Sequence, residues 1–453
     1  MAPALTPECL ADRSTRGPRY TSYPPATEFA ALDPSVIDAE LARLAAARDP
    51  ISLYLHIPFC LSLCAYCGCN VIPTRDRSRG GGYADTLVTE LAMVAERLGQ
   101  GAPVAELALG GGSPNFLEPT TLRRLVTAVR RYFAVAPDAR MSIELDPRST
   151  TTSQIDTLAE IGFRSLSMGV QDFASGVQDA IHRHQSVAQT RWLVERGRAA
   201  GFDDINIDIV YGLPHQTEET FADTLSHVVS LAPDRIALFG YAHLPSALPH
   251  QKLVERHGRV LDRYERATLL LQAIAQLEGA GYVHLGLDHF ARPGSTLATA
   301  AAEHRMRRTF QGYVPHRADT IIGVGTSAIS STPRMFWQNH AELAPWEHAI
   351  GEAQLPVHRG LQLDADDQIR RDLIEHLMCD GEVDLRALGA RHEIDAPSYF
   401  ARELSELGTL TDLAAYTPAT ITTTPLGRLL VRNVCMAFDR YSAERINRFS
   451  STI

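Results

Sequence analysis

The sequence has no long apolar run, no excess of basic residues and few cysteines. No window approaches the ~20 consecutive apolar residues of a membrane span, and Glu8, Asp12 and Arg13 stand where a signal peptide would have its apolar core. Lys and Arg number 43 against 53 Asp and Glu, a net charge of −10, which argues against a nucleic-acid-binding face. We therefore expect a cytoplasmic protein with no membrane span and no nucleic-acid partner, in which any basic pocket is local.

What is present is an ordinary globular composition and enough chain for a large core. The 453 residues are 45% apolar and 21% charged, which excludes disordered and fibrous proteins. At ~150 residues per domain this length corresponds to two or three domains, although an α/β barrel can take over ~200 residues as one unit.

Short apolar segments alternate with longer segments of helical period from Ile51 onward. The strand-like segments are Ile51 to Pro58, Glu106 to Gly110, Met141 to Pro147, Arg164 to Val170, Ile205 to Tyr211 and Arg235 to Tyr241. The segments between them place apolar residues three and four positions apart, which predicts helices at Tyr83 to Leu98, Thr120 to Phe133, Ile155 to Ile161, Val187 to Ala200 and Thr217 to Leu231. Repetition of strand and helix predicts parallel strands, hence an α/β fold that is a full or partial barrel or a doubly wound sheet. Loops after the strands would then build the site.

We predict three regions in this chain. Residues 1–50 form an N-terminal leader, which cannot be helical around Pro24 and Pro25 but contains a helical stretch from Asp38 to Ala47. Residues 51–360 form the α/β barrel domain, in which Gly80 to Gly82 is interpreted as a flexible turn. Residues 361–453 form a mainly helical, winged-helix-like C-terminal domain, with helices at Asp366 to Met378, Glu382 to Leu388 and from Leu426, and a β-wing at Ile421 to Thr424.

Four of the seven cysteines occupy one ten-residue window directly after the first predicted strand. Cys60, Cys64 and Cys67 have C-x3-C-x2-C spacing, and Cys69 follows. Three thiolates from one short loop can hold three irons of a [4Fe-4S] cluster and leave the fourth iron open to a small chelating molecule. Zinc, the alternative, would need four ligands, usually in two separated pairs, and a disulfide fits poorly because a cytosolic chain keeps its thiols reduced. Cys69 is either a fourth ligand or a thiol beside the cluster, and we assign it a catalytic role there.

The cysteine window resembles the signature of radical S-adenosylmethionine proteins, and its surroundings are similar to the oxygen-independent coproporphyrinogen III oxidase (dehydrogenase) family. The adjoining matches are Tyr54 to Cys60 and Cys67 to Asn70. Further matches run nearly end to end: Arg19 to Pro24, Gly110 to Pro114, Ser142 to Arg148, Ser167 to Phe173, Asn206 to Gly212, Tyr241 to Pro245, Asp288 to Arg292, Phe310 to Tyr313, Thr326 to Ser330 and Gly427 to Asn433. The resemblance implies a radical S-adenosylmethionine α/β barrel, a [4Fe-4S] cluster held by Cys60, Cys64 and Cys67, and two S-adenosylmethionine molecules.

The resemblance also implies which other residues meet S-adenosylmethionine. They are Tyr54, Tyr66, Gly111, Gly112, Ser113, Glu144, Gln171, Arg183, Asp208, Ala242 and Ile329. From the residues alone, the glycines are also explained by a tight turn, and an inward carboxylate at Glu144 needs a partner that is either a cofactor ammonium group or an internal Arg. The chain departs from the family's usual residues at Leu109, at Ser113, which keeps a hydroxyl, and at His182 and His184.

The implied activity converts two propionates of coproporphyrinogen III into the vinyl groups of protoporphyrinogen IX in haem biosynthesis. A radical is required because the C–H bond on the propionate β-carbon is hardly acidic. The resemblance implies a porphyrinogen substrate and a reducing protein of flavodoxin type as electron donor, and we expect a monomer. Arg19, Arg292 and Lys252 are candidate cations for the tetracarboxylate, and Tyr20, Thr21 and Tyr23 are candidates for guarding the entrance.

Three other functions compete with this interpretation. A haem chaperone of the same superfamily typically has Phe at the position of Cys69 and lacks the leader motif from Arg19 to Pro24, and both features favour the enzyme. A radical methyltransferase or haem-degrading relative has the same type of sequence. A zinc-stabilised winged-helix regulator is disfavoured by the acidic balance and by the missing second pair of ligands.

Overall fold

The computed structural model describes residues 5–315, 318–441 and 449–453. Its first half consists of two leader helices followed by alternating strands and helices. In chain order these are α1 (Pro7–Arg13), α2 (Pro34–Ala47), β1 (Ile51–Ile57), β2 (Phe59–Cys60), β3 (Ile72–Pro73), α3 (Arg79–Leu98), β4 (Ala102–Gly111), α4 (Pro119–Tyr132), β5 (Phe133–Leu145), α5 (Thr152–Glu160), β6 (Ser165–Gln171), α6 (Ser175–Ile181), α7 (Val187–Ala199), β7 (Asp204–Tyr211), α8 (Glu218–Ser230) and β8 (Arg235–Gly240).

The second half adds shorter strands and a mainly helical end. Up to the last strand of the main sheet, the elements are α9 (Lys252–His257), α10 (Arg263–Gly279), β9 (Val283–Gly286), β10 (His289–Ala291), α11 (Thr296–Ala302), β11 (Met306–Thr309), β12 (Gly312–Pro315), β13 (Thr320–Val324), β14 (Ile329–Ser331), β15 (Met335–Asn339), α12 (Leu343–Gly351) and β16 (Val357–Gln362). The C-terminal elements are α13 (Ala365–Asp380), β17 (Glu382–Asp384), α14 (Leu385–His392), α15 (Ala396–Tyr399), α16 (Ala401–Leu407), β18 (Ala414–Tyr416), β19 (Thr420–Thr423), α17 (Pro425–Leu429) and α18 (Val431–Met436).

One twelve-stranded sheet organises the molecule, in the order β16-β15-β14-β13-β1-β4-β5-β6-β7-β8-β10-β9. The seven strands from β13 to β8 are parallel. Antiparallel strands extend the sheet on both sides. β1 is buried at every position, as expected for a parallel strand covered on both faces. Because β16 and β9 are the two edges among the described residues, the sheet is open and the predicted α/β fold is a partial barrel.

Two local predictions are wrong, and one set of strands was not predicted. Gly80 to Gly82 are not a flexible turn but lie in the first turn of α3, where a Cβ on Gly80 would stand 2.9 Å from Leu117 Cδ2. The segment from Glu382 begins as β17, because it pairs with β19, and becomes helical only at Leu385. The predicted strands and helices also omitted β9 to β16, which are short and have weak sequence patterns.

The leader and the chain end pack onto the barrel. Leu10 of α1 is fully buried in the same apolar core as Ile51 of β1 and Val434 of α18. The Gly17 N–H donates to the Ser450 carbonyl at 3.2 Å, so the leader is paired with the last described segment. The boundary predicted at residue 360 falls inside β16. No helix in the described ranges has the length and apolar character needed to cross a membrane.

Candidate active site

Neighbouring parallel strands end at one edge of the sheet, and the predicted site residues stand at those ends. The cysteine loop follows β1, Gly111 ends β4, and Gln171 ends β6. Glu144 is the penultimate residue of β5, and Asp208 of β7 lies beside β6. Because parallel strands present their carboxyl ends on the same side, residues that are far apart in sequence converge here.

Three adjoining cavities occupy this edge and the barrel interior. The cluster cavity, of about 720 Å³, is lined by all four clustered cysteines and by Tyr66, Gly111, Gly112, Ser113, Glu144, Gln171, Arg183 and Asp208. The central cavity, of about 1760 Å³, shares with it Cys69, Glu144, Ser167 and Asp208. The leader cavity, of about 890 Å³, shares with the central cavity Thr21, Arg308, Phe310 and Ile321. A chain of cavities therefore leads from the leader to the cysteine loop.

The cysteine loop is fixed at its start and approached by two guanidinium groups. The Thr74 N–H donates to the Cys60 carbonyl at 2.8 Å. Arg183 Nη1 and Arg148 Nη2 lie 3.6 and 3.8 Å from Cys64 Sγ. Both guanidinium groups therefore stand beside a thiol that the cluster would use.

Cys67 and Cys69 interact with each other. The Cys69 N–H donates to Cys67 Sγ at 3.4 Å, and hydrogen bonding from Cys69 lowers the pKa of Cys67 to about 6. The side-chain hydrogen bond between the two thiols, followed by burial, raises the pKa of Cys69 well above its ordinary value. Within the described ranges, no three His, Cys, Asp or Glu side chains form a ready-made metal site.

β4 ends in a turn that requires glycine. Gly111 has φ +120°, and a Cβ there would lie 2.7 Å from His56 Cε1. A Cβ on Gly112 would lie 2.6 Å from the Pro58 carbonyl oxygen, at the start of the cysteine loop. The tight-turn interpretation is therefore confirmed. Both glycines also line the cluster cavity, where the absence of side chains brings bare backbone to a ligand.

Glu144 and Asp208 face the junction of the cluster and central cavities. Burial within the barrel, followed by repulsion from Asp208, raises the pKa of Glu144 to about 7. Burial raises the pKa of Asp208 to about 6. Glu144 Oε2 accepts from the Gly111 N–H at 3.2 Å, and Asp208 Oδ1 accepts from Asn206 Nδ2 at 2.6 Å. Among the described residues neither carboxylate forms an ion pair, so the internal Arg partner considered for Glu144 is not found and a cationic ligand fits instead.

Arg183 is the buried cation of the cluster cavity. Its Nη2 donates to the Gly169 carbonyl at 2.5 Å and lies 3.3 Å from Gln185 Oε1, whereas its Nε is buried with no hydrogen-bond partner among the described residues. Gln171, on the same cavity, has the strained φ of +71°. An unsatisfied buried donor beside thiols and a glycine turn suits a polar bound group. The residues present therefore fit a [4Fe-4S] cluster and S-adenosylmethionine.

The remaining predicted contacts are more scattered. Tyr54 lines the central cavity, with its hydroxyl 3.1 Å from His56 Nδ1. Ile329 lines the leader cavity. Ala242 is not part of the lining of any of the three cavities, but Gln251 Nε2 donates to its carbonyl at 3.1 Å and to the Tyr66 carbonyl at 3.0 Å.

The residues predicted to bind the substrate or to guard its entrance divide into those that line a cavity and those that do not. Arg19 lines the central cavity and Thr21 lines both the central and leader cavities, whereas Arg292 and Lys252 are exposed and line neither. Tyr20 and Tyr23 line the leader cavity. His182 and His184 lie outside all three cavities, paired with His257 at 3.2 Å and with Asp179 at 3.5 Å respectively.

Sequence reasoning missed a polar network behind the glycine turn. Asn115 is completely buried, donates through Nδ2 to the Asp146 carbonyl at 3.1 Å, and accepts at Oδ1 from the Ser113 hydroxyl at 2.9 Å. Asp146 in turn pairs with Arg148 at 2.6 Å. The available signal was the pair of charged residues, Asp146 and Arg148, immediately after β5. The network uses the Ser113 proton within the protein and places Arg148 beside the cysteines.

Comparison with known proteins agrees with this geometry. Residues 54–228 match the Radical SAM superfamily. The chain is 39% identical over 449 residues to the oxygen-independent coproporphyrinogen III oxidase of Pseudomonas aeruginosa, with 96% of each chain covered. The chain belongs to this family.

Further members show the same extent of similarity. The oxygen-independent coproporphyrinogen III oxidase of Escherichia coli is 40% identical over 445 residues, again with 96% of each chain covered. The solved structure of coproporphyrinogen III oxidase from Escherichia coli, described as a radical SAM enzyme, superposes with a TM-score of 0.89 at 39% identity and covers 93% of this chain and 97% of that one. The radical SAM barrel is thereby confirmed, as are the [4Fe-4S] cluster and S-adenosylmethionine as cofactors.

Proposed function

We propose that this protein oxidatively decarboxylates coproporphyrinogen III to protoporphyrinogen IX without oxygen. The observation that carries the proposal is one cluster cavity, lined by three spaced thiols, a glycine turn and two carboxylates, that opens into a cavity of about 1760 Å³. For each vinyl group formed, one hydrogen atom leaves the propionate β-carbon, the carboxylate leaves as CO2, and one electron passes to an acceptor. When bound, the reduced cluster and S-adenosylmethionine supply the radical that takes this hydrogen atom.

The chain's own residues bind, orient and exclude water. Cys60, Cys64 and Cys67 hold the cluster, with Cys69 beside it. Glu144 and Asp208 attract cationic groups of one or two S-adenosylmethionine molecules, and the Gly111–Gly112 backbone lies along them. The walls of the central cavity position the porphyrinogen against the junction at Glu144, where the reacting carbon must lie within contact distance.

The leader supports an enzyme over a haem chaperone. Arg19 and Thr21 form part of the central cavity wall, so the leader closes the cavity in which a porphyrinogen would react. Cys69 lines both the cluster and central cavities, at the place where cofactor and substrate would meet. A radical methyltransferase remains the second candidate, since it needs the same cluster cavity.

We further propose that an acidic, flavodoxin-type protein supplies the electron beside β3. Arg75 and Arg79 are exposed on the segment that begins at Thr74, whose N–H donates to the Cys60 carbonyl at 2.8 Å. These exposed arginines, on a segment bonded to the cysteine loop, would steer an acidic partner, although Asp76 stands between them and the net charge of the chain is −10. All seven cysteines are free thiols, which supports a cytoplasmic protein. We also propose that the protein is a monomer.

Anaerobic reconstitution tests the function. The protein, loaded with iron and sulfide, is incubated with coproporphyrinogen III, S-adenosylmethionine and a reductant, and protoporphyrinogen IX and 5′-deoxyadenosine are measured. Both products should form together. Formation of 5′-deoxyadenosine without protoporphyrinogen would refute the substrate, and tight haem binding without turnover would favour the chaperone.

A further inference from the structure

Arg308 is a buried cation that the cofactor chemistry does not use. It lies on β11, and its side chain is 3% exposed. It lines both the central and the leader cavities, so it stands where the two meet and away from the cysteine loop. A buried guanidinium in a ligand cavity is costly unless it is paired.

The protein supplies partners for only some of the hydrogen-bond donors of Arg308. Its Nε donates to the Arg19 carbonyl at 3.1 Å, and its Cζ lies 4.8 Å from the centre of the Tyr313 ring. Its Nη1 stands 3.6 Å from Asp288 Oδ1 and, among the described residues, is buried without a hydrogen bond. One side of the guanidinium is therefore held in place while a donor is left for something else.

The charge around Arg308 is also unbalanced. Asp288 is bonded to His289 at 2.6 Å. Burial favours the neutral form of Asp288, but Arg308, His289 and Arg19 together hold its pKa below the ordinary range. Arg19 donates to the Gly240 carbonyl at 2.8 Å, and burial lowers its pKa. One carboxylate thus faces two guanidinium groups, which leaves a net positive charge at this end of the central cavity.

The other two arginines of the central cavity are held by direct contacts with one carboxylate. Arg235 Nε lies 2.7 Å from Asp204 Oδ1, and Arg140 pairs with the second oxygen of the same carboxylate. Their attraction lowers the pKa of Asp204 to about 2 against the opposing effect of burial. Arg140 and Arg235 therefore serve the barrel's own structure, and Arg19 with Arg308 is the pair available to a ligand.

We propose that Arg308, assisted by Arg19, binds the carboxylate of a substrate propionate other than the one that reacts. The inference rests on the proposed function, since it assigns a subsite for that substrate. Guanidinium donors match a carboxylate in charge and geometry. The opposite end of the cavity carries Glu144 and Asp208, which repel carboxylates. The tetra-anion is thereby oriented with one propionate held at Arg308, and the leader completes this subsite by supplying Arg19.

Steady-state kinetics on the reconstituted holoenzyme tests Arg308 as the anchor, meaning the residue that binds the unreacting propionate. Arg308→Gln should raise the KM for coproporphyrinogen III by about 10- to 100-fold, the loss expected for a hydrogen bond to a charged group, with kcat changed far less. Arg308→Lys, which keeps the charge, should recover part of the KM. The matched control, Arg131→Gln, removes the charge of an exposed arginine on α4 outside the cavities and should behave as wild type. Iron content and S-adenosylmethionine affinity should be unchanged in all three variants.

A binding measurement separates recognition from folding defects. Fluorescence titration compares coproporphyrin III with its tetramethyl ester: wild type should prefer the free acid by about tenfold or more, and Arg308→Gln should lose most of this preference. Unchanged KM and unchanged acid preference in Arg308→Gln would overturn the anchor, as would parallel losses of iron and cofactor binding in both Arg308 variants. Wild-type protein that makes no protoporphyrinogen but still discriminates acid from ester would refute the function and keep the anion subsite.

Discussion

Replacing Glu144 with Gln should weaken S-adenosylmethionine binding by a magnitude that the structure allows to be worked out. With a pKa of about 7, Glu144 is mostly ionised at pH 8. A cationic group about 4 Å away at an effective dielectric of about 20 gains about 4 kcal/mol, part of which desolvation offsets. A net loss of about 2–3 kcal/mol corresponds to a dissociation constant raised about 30- to 150-fold. Glutamine keeps the size and loses the charge.

The raised pKa of Glu144 also sets the direction in which the affinity for S-adenosylmethionine changes with pH. Because the pKa of Glu144 is raised, the carboxyl takes up a proton as pH falls through about 7, and a protonated carboxyl no longer attracts a cation. Wild-type affinity should therefore be constant at high pH and fall by up to about tenfold per pH unit in the acidic range. Glu144→Gln should remove the part of this dependence that Glu144 contributes.

Anaerobic equilibrium dialysis with S-adenosylmethionine measures both effects on the iron-loaded protein. The matched control is Glu106→Gln, a carboxylate of the central cavity that accepts from Ser52 Oγ at 2.6 Å and does not line the cluster cavity. It should bind S-adenosylmethionine within about threefold of wild type. Glu144→Gln binding as tightly as Glu106→Gln, with an unaltered pH profile, would refute the role of Glu144.

Three further perturbations concern the glycines, Cys69 and the donor. Gly112→Ala places a Cβ 2.6 Å from the Pro58 carbonyl oxygen and should destabilise the fold by about 1–3 kcal/mol and lower the iron content. The control Gly81→Ala places its Cβ in open space and should stabilise the fold by about 0.5–1 kcal/mol with iron retained. Equal melting temperatures and iron contents in the two variants would contradict this. Cys69→Ser should keep the full iron content and lose turnover, and loss of the cluster would show a fourth ligand. Arg75→Glu should slow reduction by an acidic flavodoxin and flatten its salt dependence while dithionite-driven turnover stays the same; an equal effect on both reductants would contradict docking there.

Six of the seven parallel strands could be predicted from local patterns, whereas β13 and the antiparallel strands could not. β1 and β4 to β8 are separated by helices of clear period, and each overlaps its predicted segment, although β5 begins eight residues earlier than predicted. β9 to β16 are mostly three to six residues long and partly exposed. Their pairing with other strands, rather than their composition, makes them strands: β13 pairs with β1 and β10 with β8, and the others pair with strands adjacent in the chain.

The residues of the site likewise divide into those that local patterns predicted and those that they did not. The cysteine spacing and Gly111–Gly112 indicated cofactor chemistry because iron ligation and tight turns are local demands on the chain. The network of Asn115, Asp146 and Arg148 could not be found in that way. Its members come from different loops, and their roles depend on burial and on hydrogen bonds between loops.

The sequence by itself determined the alternation of strands and helices and the spacing of three cysteines in one loop, because spacing and period are properties of neighbouring residues. The radical SAM barrel was implied by the resemblance of these motifs to a known family. Only the tertiary structure decided which cations face the cavity: Arg19 does, while Arg292 and Lys252 point outward. It also placed Arg308 beside Asp288 with a donor unsatisfied. Side-chain burial and charge balance arise when distant segments pack together, and no local pattern records them.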